Sequence, residues 1–298
     1  MKAIETSGLT KVFGSQRAVD DLTIEVPFDR VTGFLGPNGA GKTTTMRMLL
    51  GLVHPSSGDA RVLGHRYVAG ATPAGEVGAL LDTQQFHPQR TGRAHLRVYA
   101  AVAGVAPGRV DEVVEVVDMV AAAGRKVGEY SLGMRQRLGL ATALLAEPRV
   151  LVMDEPANGL DPSGMRWLRN FLRAFATGGR AVFVSSHLLA EISHMADDVI
   201  VIDKGRLVVH APVGELVARA GRSVRVRTDE VERLRDALAS AGGRAELTSH
   251  DTLAVNGLSG EDVGRIAAAK GLPIFGLDVE EGSLEDVFLE LTGSESIG

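Results

Sequence analysis

The 298-residue chain contains no cysteine. That excludes a disulfide framework and a thiolate metal site, and it fits a reducing compartment. Long apolar runs are also missing: no stretch approaches the ~18 residues that cross a bilayer, and the opening Met1–Glu5 lacks the apolar core of a signal peptide. If the protein works at a membrane, another chain must span it. There is no basic excess either. Residues 1–218 hold 23 Lys/Arg against 22 Asp/Glu, and residues 219–298 hold 9 against 15, within a net charge of −5. Neither part has the positive surplus of a phosphate-backbone binder, so no nucleic-acid partner is expected. Internal repeats and low-complexity tracts are absent as well.

What is present is enough apolar material for a substantial core, 45% of residues, in a length that suits two domains. The first part alternates strands and helices around glycine-rich turns. Thr32–Leu35, Val150–Met153 and Ala181–Ser186 are short apolar runs, and Thr43–Gly51 is predicted as a helix. Runs apolar on both faces indicate buried parallel strands of an α/β fold, with functional residues at their C-terminal ends. Residues 90–145 change to helical spacing and are predicted as a helical subdomain. Beyond about residue 218 the pattern becomes that of a small α+β domain with its own core. It comprises a strand at Ser223–Arg227, a helix at Glu230–Ala241, a strand at Thr252–Val255, a helix at Ser259–Ala269 and a strand at Ile274–Leu277.

Gly36-Pro37-Asn38-Gly39-Ala40-Gly41-Lys42-Thr43 fits G-x-x-x-x-G-K-[ST], a pattern that a chain of this length meets by chance on the order of one time in a hundred. A predicted strand precedes it and a predicted helix follows it, as phosphate binding requires. Glycines let successive N–H groups turn toward an anion, and the following helix aims its positive end at the same place. Lys42 is suited to the β and γ phosphates, Thr43 to a Mg²⁺ ion, and Thr44 continues the cradle.

Val150–Met153 delivers Asp154 and Glu155 to the same sheet edge. Two acids after a strand can simply begin a helix. Beside a phosphate loop they can instead divide the work, Asp154 holding Mg²⁺ and Glu155 polarising the attacking water.

Tyr130-Ser131-Leu132-Gly133-Met134-Arg135-Gln136-Arg137, just before the carboxylate strand, resembles the signature of the ATP-binding-cassette (ABC) ATPases, with the serine and second glycine kept. By itself Ser131 could be only a helix N-cap. Asn158-Gly159-Leu160-Asp161 resembles the family's D-loop, His187 its switch histidine, and Phe13 its adenine-stacking aromatic. The particular likeness is to single-cassette subunits of bacterial drug and antibiotic exporters of the daunorubicin-resistance type.

The resemblance implies a P-loop ABC ATPase core of residues 1–218, with a mixed sheet and a helical subdomain, followed by the α+β domain of residues 219–298. It implies ATP and Mg²⁺ as cofactors, and Lys42, Glu155 and His187 as catalytic residues. Ser131 and Gly133 would cap ATP held by a second copy in a head-to-tail dimer, and Asp161 would cross between the copies. It further implies a separate membrane permease, a place at the cytoplasmic face of the membrane, and export of a hydrophobic small molecule. Asp82 stands where the family's Q-loop glutamine ligates Mg²⁺; an aspartate can do so through oxygen, and Gln84 and Gln85 are alternative substitutes. Gly282–Phe288 either resembles a C-terminal motif of this subfamily or is an amphipathic last helix. Two rival readings are a soluble ABC ATPase acting as an assembly factor without a permease, and a P-loop kinase, for which the Ser131–Arg137 stretch and His187 have no use.

Overall fold

The computed structural model describes residues 2–68, 75–81, 86–220 and 222–281. They form two compact units divided between Pro212 and Val213. The boundary expected from composition, 218/219, lies inside the first helix of the second unit.

The first unit begins with β1 (Lys2–Phe13), β2 (Gln16–Leu22), β3 (Glu25–Pro27), β4 (Arg30–Leu35), α1 (Lys42–Leu49), β5 (Ser57–Val62) and β6 (Val77–Leu80). A helical stretch follows: α2 (Gly92–Val102), α3 (Arg109–Val116), a single 3₁₀ turn at Val127–Glu129, and α4 (Leu132–Leu144). The chain then returns to the sheet with β7 (Val150–Met153), α5 (Pro162–Phe175), β8 (Ala181–Ser186), α6 (Leu189–Met195), β9 (Asp198–Asp203) and β10 (Arg206–Pro212).

Six of these strands form one sheet in the order β10-β9-β4-β8-β7-β6. All pairings within it are parallel except β10 on β9, so the sheet is mixed, with its antiparallel strand at the edge. β7 and β8 are buried at every position and β4 at all but Arg30. This is why these strands read as continuous apolar runs. β1, β2, β3 and β5 make a separate antiparallel sheet. Its Ile4, Leu9, Leu22 and Val26 share one core with Phe34, Phe183 and Met46.

Register brings the chemistry to one edge. Leu35 pairs with Ser186, and Met153 with Val184. The loop after β4, the acids after β7 and the histidine after β8 therefore leave the sheet side by side, at the carboxyl ends of parallel strands.

The second unit comprises α7 (Val213–Ala220), β11 (Arg222–Arg227), α8 (Val231–Ser240), β12 (Arg244–Ser249), β13 (Thr252–Asn256), α9 (Gly260–Ala269) and β14 (Gly276–Glu281). From β11 to β14 the connectivity is β-α-β-β-α-β, and the antiparallel sheet order is β12-β13-β11-β14, a ferredoxin-like arrangement. Val224, Val226, Leu253 and Val255 pack on Leu234, Leu238 and Val263, so one sheet face carries both helices. The last strand begins at Gly276, two residues later than its expected start, because pairing with β11 starts at Gly276 opposite Arg227. β12 was not anticipated: five of its six residues are exposed, which leaves no alternation to detect. Gly282–Phe288 lies outside the described residues.

Candidate nucleotide-binding and hydrolysis site

The phosphate loop turns into α1 through Gly41, whose φ of +105° is left-handed. A Cβ there would stand 2.4 Å from the Ala18 carbonyl oxygen, so the position needs glycine on both counts. Pro37, Asn38, Gly39, Ala40, Gly41, Lys42, Thr43 and Thr44 line a cleft of about 360 Å³, joined by Phe13, Gln16, Ala18 and Glu155. Phe13 ends β1 and is half-exposed, with the Lys11 ammonium 4.9 Å from its ring centroid. Half of the side chain is thus exposed beside the cleft rather than spent on core packing, although the Lys11 ammonium lies over the ring.

Lys42 is buried, and its Nζ donates to the Gly36 carbonyl at 2.6 Å and the Pro37 carbonyl at 3.3 Å. It lies 3.8 Å from Glu155 Oε1. Burial lowers the affinity of this ammonium for its proton, while Glu155 and Asp154 oppose the shift. A cation held by carbonyls beside a cradle of N–H groups has strong reason to transfer to an incoming polyanion.

The acids occupy distinct networks. Asp154 accepts from Thr43 Oγ1 at 2.6 Å through one oxygen and from the Ser185 hydroxyl through the other. Its own N–H donates to the Leu80 carbonyl at 2.8 Å. Glu155 turns away with φ +50°, a left-handed conformation for a non-glycine residue. Its N–H donates to Ser185 Oγ at 2.9 Å, and its Oε2 lies 2.8 Å from His187 Nδ1. Backbone outliers of this kind cost on the order of 1–3 kcal/mol and persist where surrounding contacts hold them. Here Ser185 supplies one such contact.

The donor set also suits a hard cation. Thr43 and Asp154 juxtapose a hydroxyl and a carboxylate, and among the described residues no group of three or more His, Cys, Asp or Glu could hold a metal ion. Two protein oxygens without a cage match Mg²⁺, which keeps waters and takes its remaining ligands from phosphate oxygens.

The structure therefore gathers Phe13, the loop from Gly36 to Thr44, Asp154, Glu155 and His187 at one place. Ser131, Gly133 and Asp161 are not among the residues lining this cleft. Ser131 is an exposed N-cap of α4, accepting from the Met134 N–H at 3.2 Å. Asp161 is the N-cap of α5, accepting from the Gly164 N–H at 2.7 Å and the Ser163 hydroxyl at 3.0 Å. Those donors, the Gly164 N–H first, hold its carboxyl below the usual range. Asp82, Gln84 and Gln85 lie outside the described residues.

Five residues at or beside the site escaped the sequence reading. Ser185 bridges the two acids, and its signal was a polar residue breaking the apolar run of β8. Gln16 and Ala18 form one wall of the cleft from β2, a strand with no motif to flag it. Beyond the histidine, the Ser186 hydroxyl lies 3.2 Å from Glu191 Oε2, and burial raises that carboxyl above its ordinary range.

A phosphate-cradling loop after one parallel strand, with two acids and a histidine leaving the neighbouring strands, defines a P-loop nucleotide-hydrolysing protein. The ABC transporter family model matches residues 19–158, and a second model, described only as a domain of unknown function, matches residues 222–285. The chain is 34% identical over 308 residues to the bacitracin transport ATP-binding protein BcrA of Bacillus licheniformis, covering 99% of each. It is also 34% identical over 306 residues to the daunorubicin/doxorubicin resistance ATP-binding protein DrrA of Streptomyces peucetius, covering 98% of this chain and 93% of that one. Its fold resembles a solved ATP-binding subunit of an ABC transporter, with a TM-score of 0.66 at 24% identity over 74% of this chain and 93% of the other. The protein belongs to the ATP-binding subunits of the ABC transporter family and is an ATPase.

Proposed function

We propose that this ATPase powers export of a hydrophobic antibiotic-like molecule through a separate membrane permease, working as a head-to-tail dimer at the cytoplasmic face. The observation that carries the chemistry is the pairing of Thr43 with Asp154 and of Glu155 with His187, both at the carboxyl edge of one sheet. Among the described residues no helix is long and apolar enough to cross a membrane, which agrees with a partner supplying the path. Similarity along nearly the whole chain to proteins named for bacitracin transport and daunorubicin resistance favours export over the assembly-factor reading.

In this mechanism Phe13 stacks on the adenine, and the N–H groups of Gly39, Gly41, Lys42, Thr43 and Thr44 receive the phosphates at the head of α1, while that of Ala40 donates to the Pro37 carbonyl. Lys42 leaves the Gly36 and Pro37 carbonyls to meet the phosphate oxygens. Thr43 and Asp154 hold Mg²⁺, which neutralises phosphate charge when bound. Glu155 accepts the proton of the attacking water, while His187 fixes the other carboxylate oxygen and presents a donor toward the γ-phosphate. Ser131 and Gly133 of the second copy close the site with a hydroxyl, a bare N–H and a helix N-terminus, and Asp161 crosses between the copies.

The test is purification of the tagged chain from membranes, followed by ATPase assay with bacitracin- and anthracycline-class compounds. A co-purifying permease and drug-stimulated turnover that Glu155→Gln abolishes are expected. Turnover undiminished in Glu155→Gln refutes the base assignment, and recovery of the chain without any integral membrane protein refutes the export reading.

A further inference from the structure

Within a single chain, the stretch Ser131–Gly133 and the loop Asn158–Asp161 already touch. A Cβ on Gly159, whose φ is +77°, would stand 2.2 Å from Leu132 Cδ2, and one on Gly133 would stand 3.2 Å from Leu160 Cδ2. Gln136 Nε2 lies 3.4 Å from the Asn158 carbonyl oxygen. The N-termini of α4 and α5, which bear Ser131 and Asp161, are therefore packed side by side.

One turn past Gly133 on α4 sits Arg137, whose side chain is only 17% exposed. Its guanidinium lies 4.1 Å from the ring centroid of Trp167, on α5. Nη1 of the same group donates at 2.8 Å to the Val117 carbonyl at the end of α3, and lies 3.3 Å from Asp118 Oδ2. The last carbonyls of a helix attract cations, and a planar guanidinium can stack through its face while donating through its edge. Trp167 is backed in turn by Phe171, 5.7 Å away and nearly parallel at 15°. One side chain thus joins three helices, two from the helical stretch and one from the α/β core.

We propose that Arg137 is a positioning residue that makes Ser131, Gly133 and Asp161 move as one body. The elements directed at a second copy's nucleotide then arrive together rather than independently. The role of those elements rests on the head-to-tail dimer proposed above; the clamp itself is a property of the single chain. It accounts for a largely covered cation on a helix whose buried residues are all uncharged. A salt bridge to Asp118 alone does not explain it, since Asp118 is 82% exposed and screened by water.

Arg137→Lys keeps the charge but loses the planar face; Trp167→Leu removes the ring and Trp167→Phe keeps one. Arg137→Lys and Trp167→Leu should each lower kcat about tenfold with KM for ATP within about twofold, and the double variant should be little worse than either. Trp167→Phe should retain most activity. Additive losses, or a rise in KM alone, overturn the proposal. Hydrogen exchange on the nucleotide-free chain isolates the clamp from the dimer. The Met134 and Gly164 amides, which donate to Ser131 and Asp161, should lose protection together in Arg137→Lys. Unchanged exchange at either amide overturns the clamp. In a Glu155→Gln background, absence of an ATP-dependent dimer on sizing refutes the head-to-tail reading and leaves the exchange result standing.

Discussion

Ser185 shows how closely the two acids depend on one hydroxyl. It is fully buried, donates to Asp154 and accepts the Glu155 N–H at 2.9 Å, at the point where the backbone enters the left-handed region. Ser185→Ala leaves a buried N–H and a carboxylate oxygen without that partner, at a cost of about 1–3 kcal/mol. A melting temperature lowered by several degrees and a fall in ATPase rate are expected; an unchanged melting temperature refutes the bridging role. Glu191 offers a pH test. Burial is the main cause raising its carboxyl above the ordinary range, Glu155 adds to the rise, and the Ser186 hydroxyl and His187 oppose it. The folded chain therefore keeps this proton to higher pH than the unfolded chain does. The resulting stability is full below the unfolded value and is lost as pH rises through the folded one. Glu191→Gln, neutral throughout, should gain in melting temperature relative to wild type between pH 4 and pH 7, and a difference that does not grow over that range contradicts the argument.

Elements with one dominant environment were legible in the sequence. β4, β7 and β8 are buried on both faces, so their composition alone announced them, and the phosphate loop and acid pair were read off their ends. Elements with mixed surroundings were not. β1 runs for 12 residues with register shifts against each of its three neighbours, which breaks any period of two. Ser185 was hidden for a related reason: a serine ending a strand looks the same whether it caps, faces solvent or bridges two carboxylates. Helix starts were clearer, because their chemistry is local. Ser259 caps α9, with its hydroxyl accepting the Asp262 N–H at 3.1 Å and the Asp262 carboxylate returning to the Ser259 N–H at 3.3 Å. Ser259→Ala should destabilise that helix by ~1 kcal/mol, read as faster amide exchange at α9 with ATPase turnover unchanged. Unaltered protection there contradicts the capping assignment.

For the whole molecule, the head-to-tail proposal turns on which residues the cleft does not hold. The cleft holds Lys42, Thr43 and Glu155, yet Ser131 and Asp161 cap helices elsewhere on the chain. If Ser131 were only an N-cap, Ser131→Ala would cost ~1 kcal/mol of helix stability and nothing in catalysis. If it completes a second copy's site, its larger replacement Ser131→Arg should inactivate a folded chain, as Lys42→Ala should by removing the cation proposed to meet the phosphates. Mixing the two variants then separates the readings. Each mixed dimer has one site with both defects and one with neither, because intact Lys42 and intact Ser131 come from different chains. Random exchange makes about half the dimers mixed, so independent sites should recover up to about one quarter of wild-type turnover, from two inactive parents. Full turnover by Ser131→Arg alone contradicts a shared site, as does a mixture as active as wild type. Recovery well below one quarter, with mixed dimers present on sizing, means that both sites must be intact for either to fire, which is the coupling proposed for Asp161.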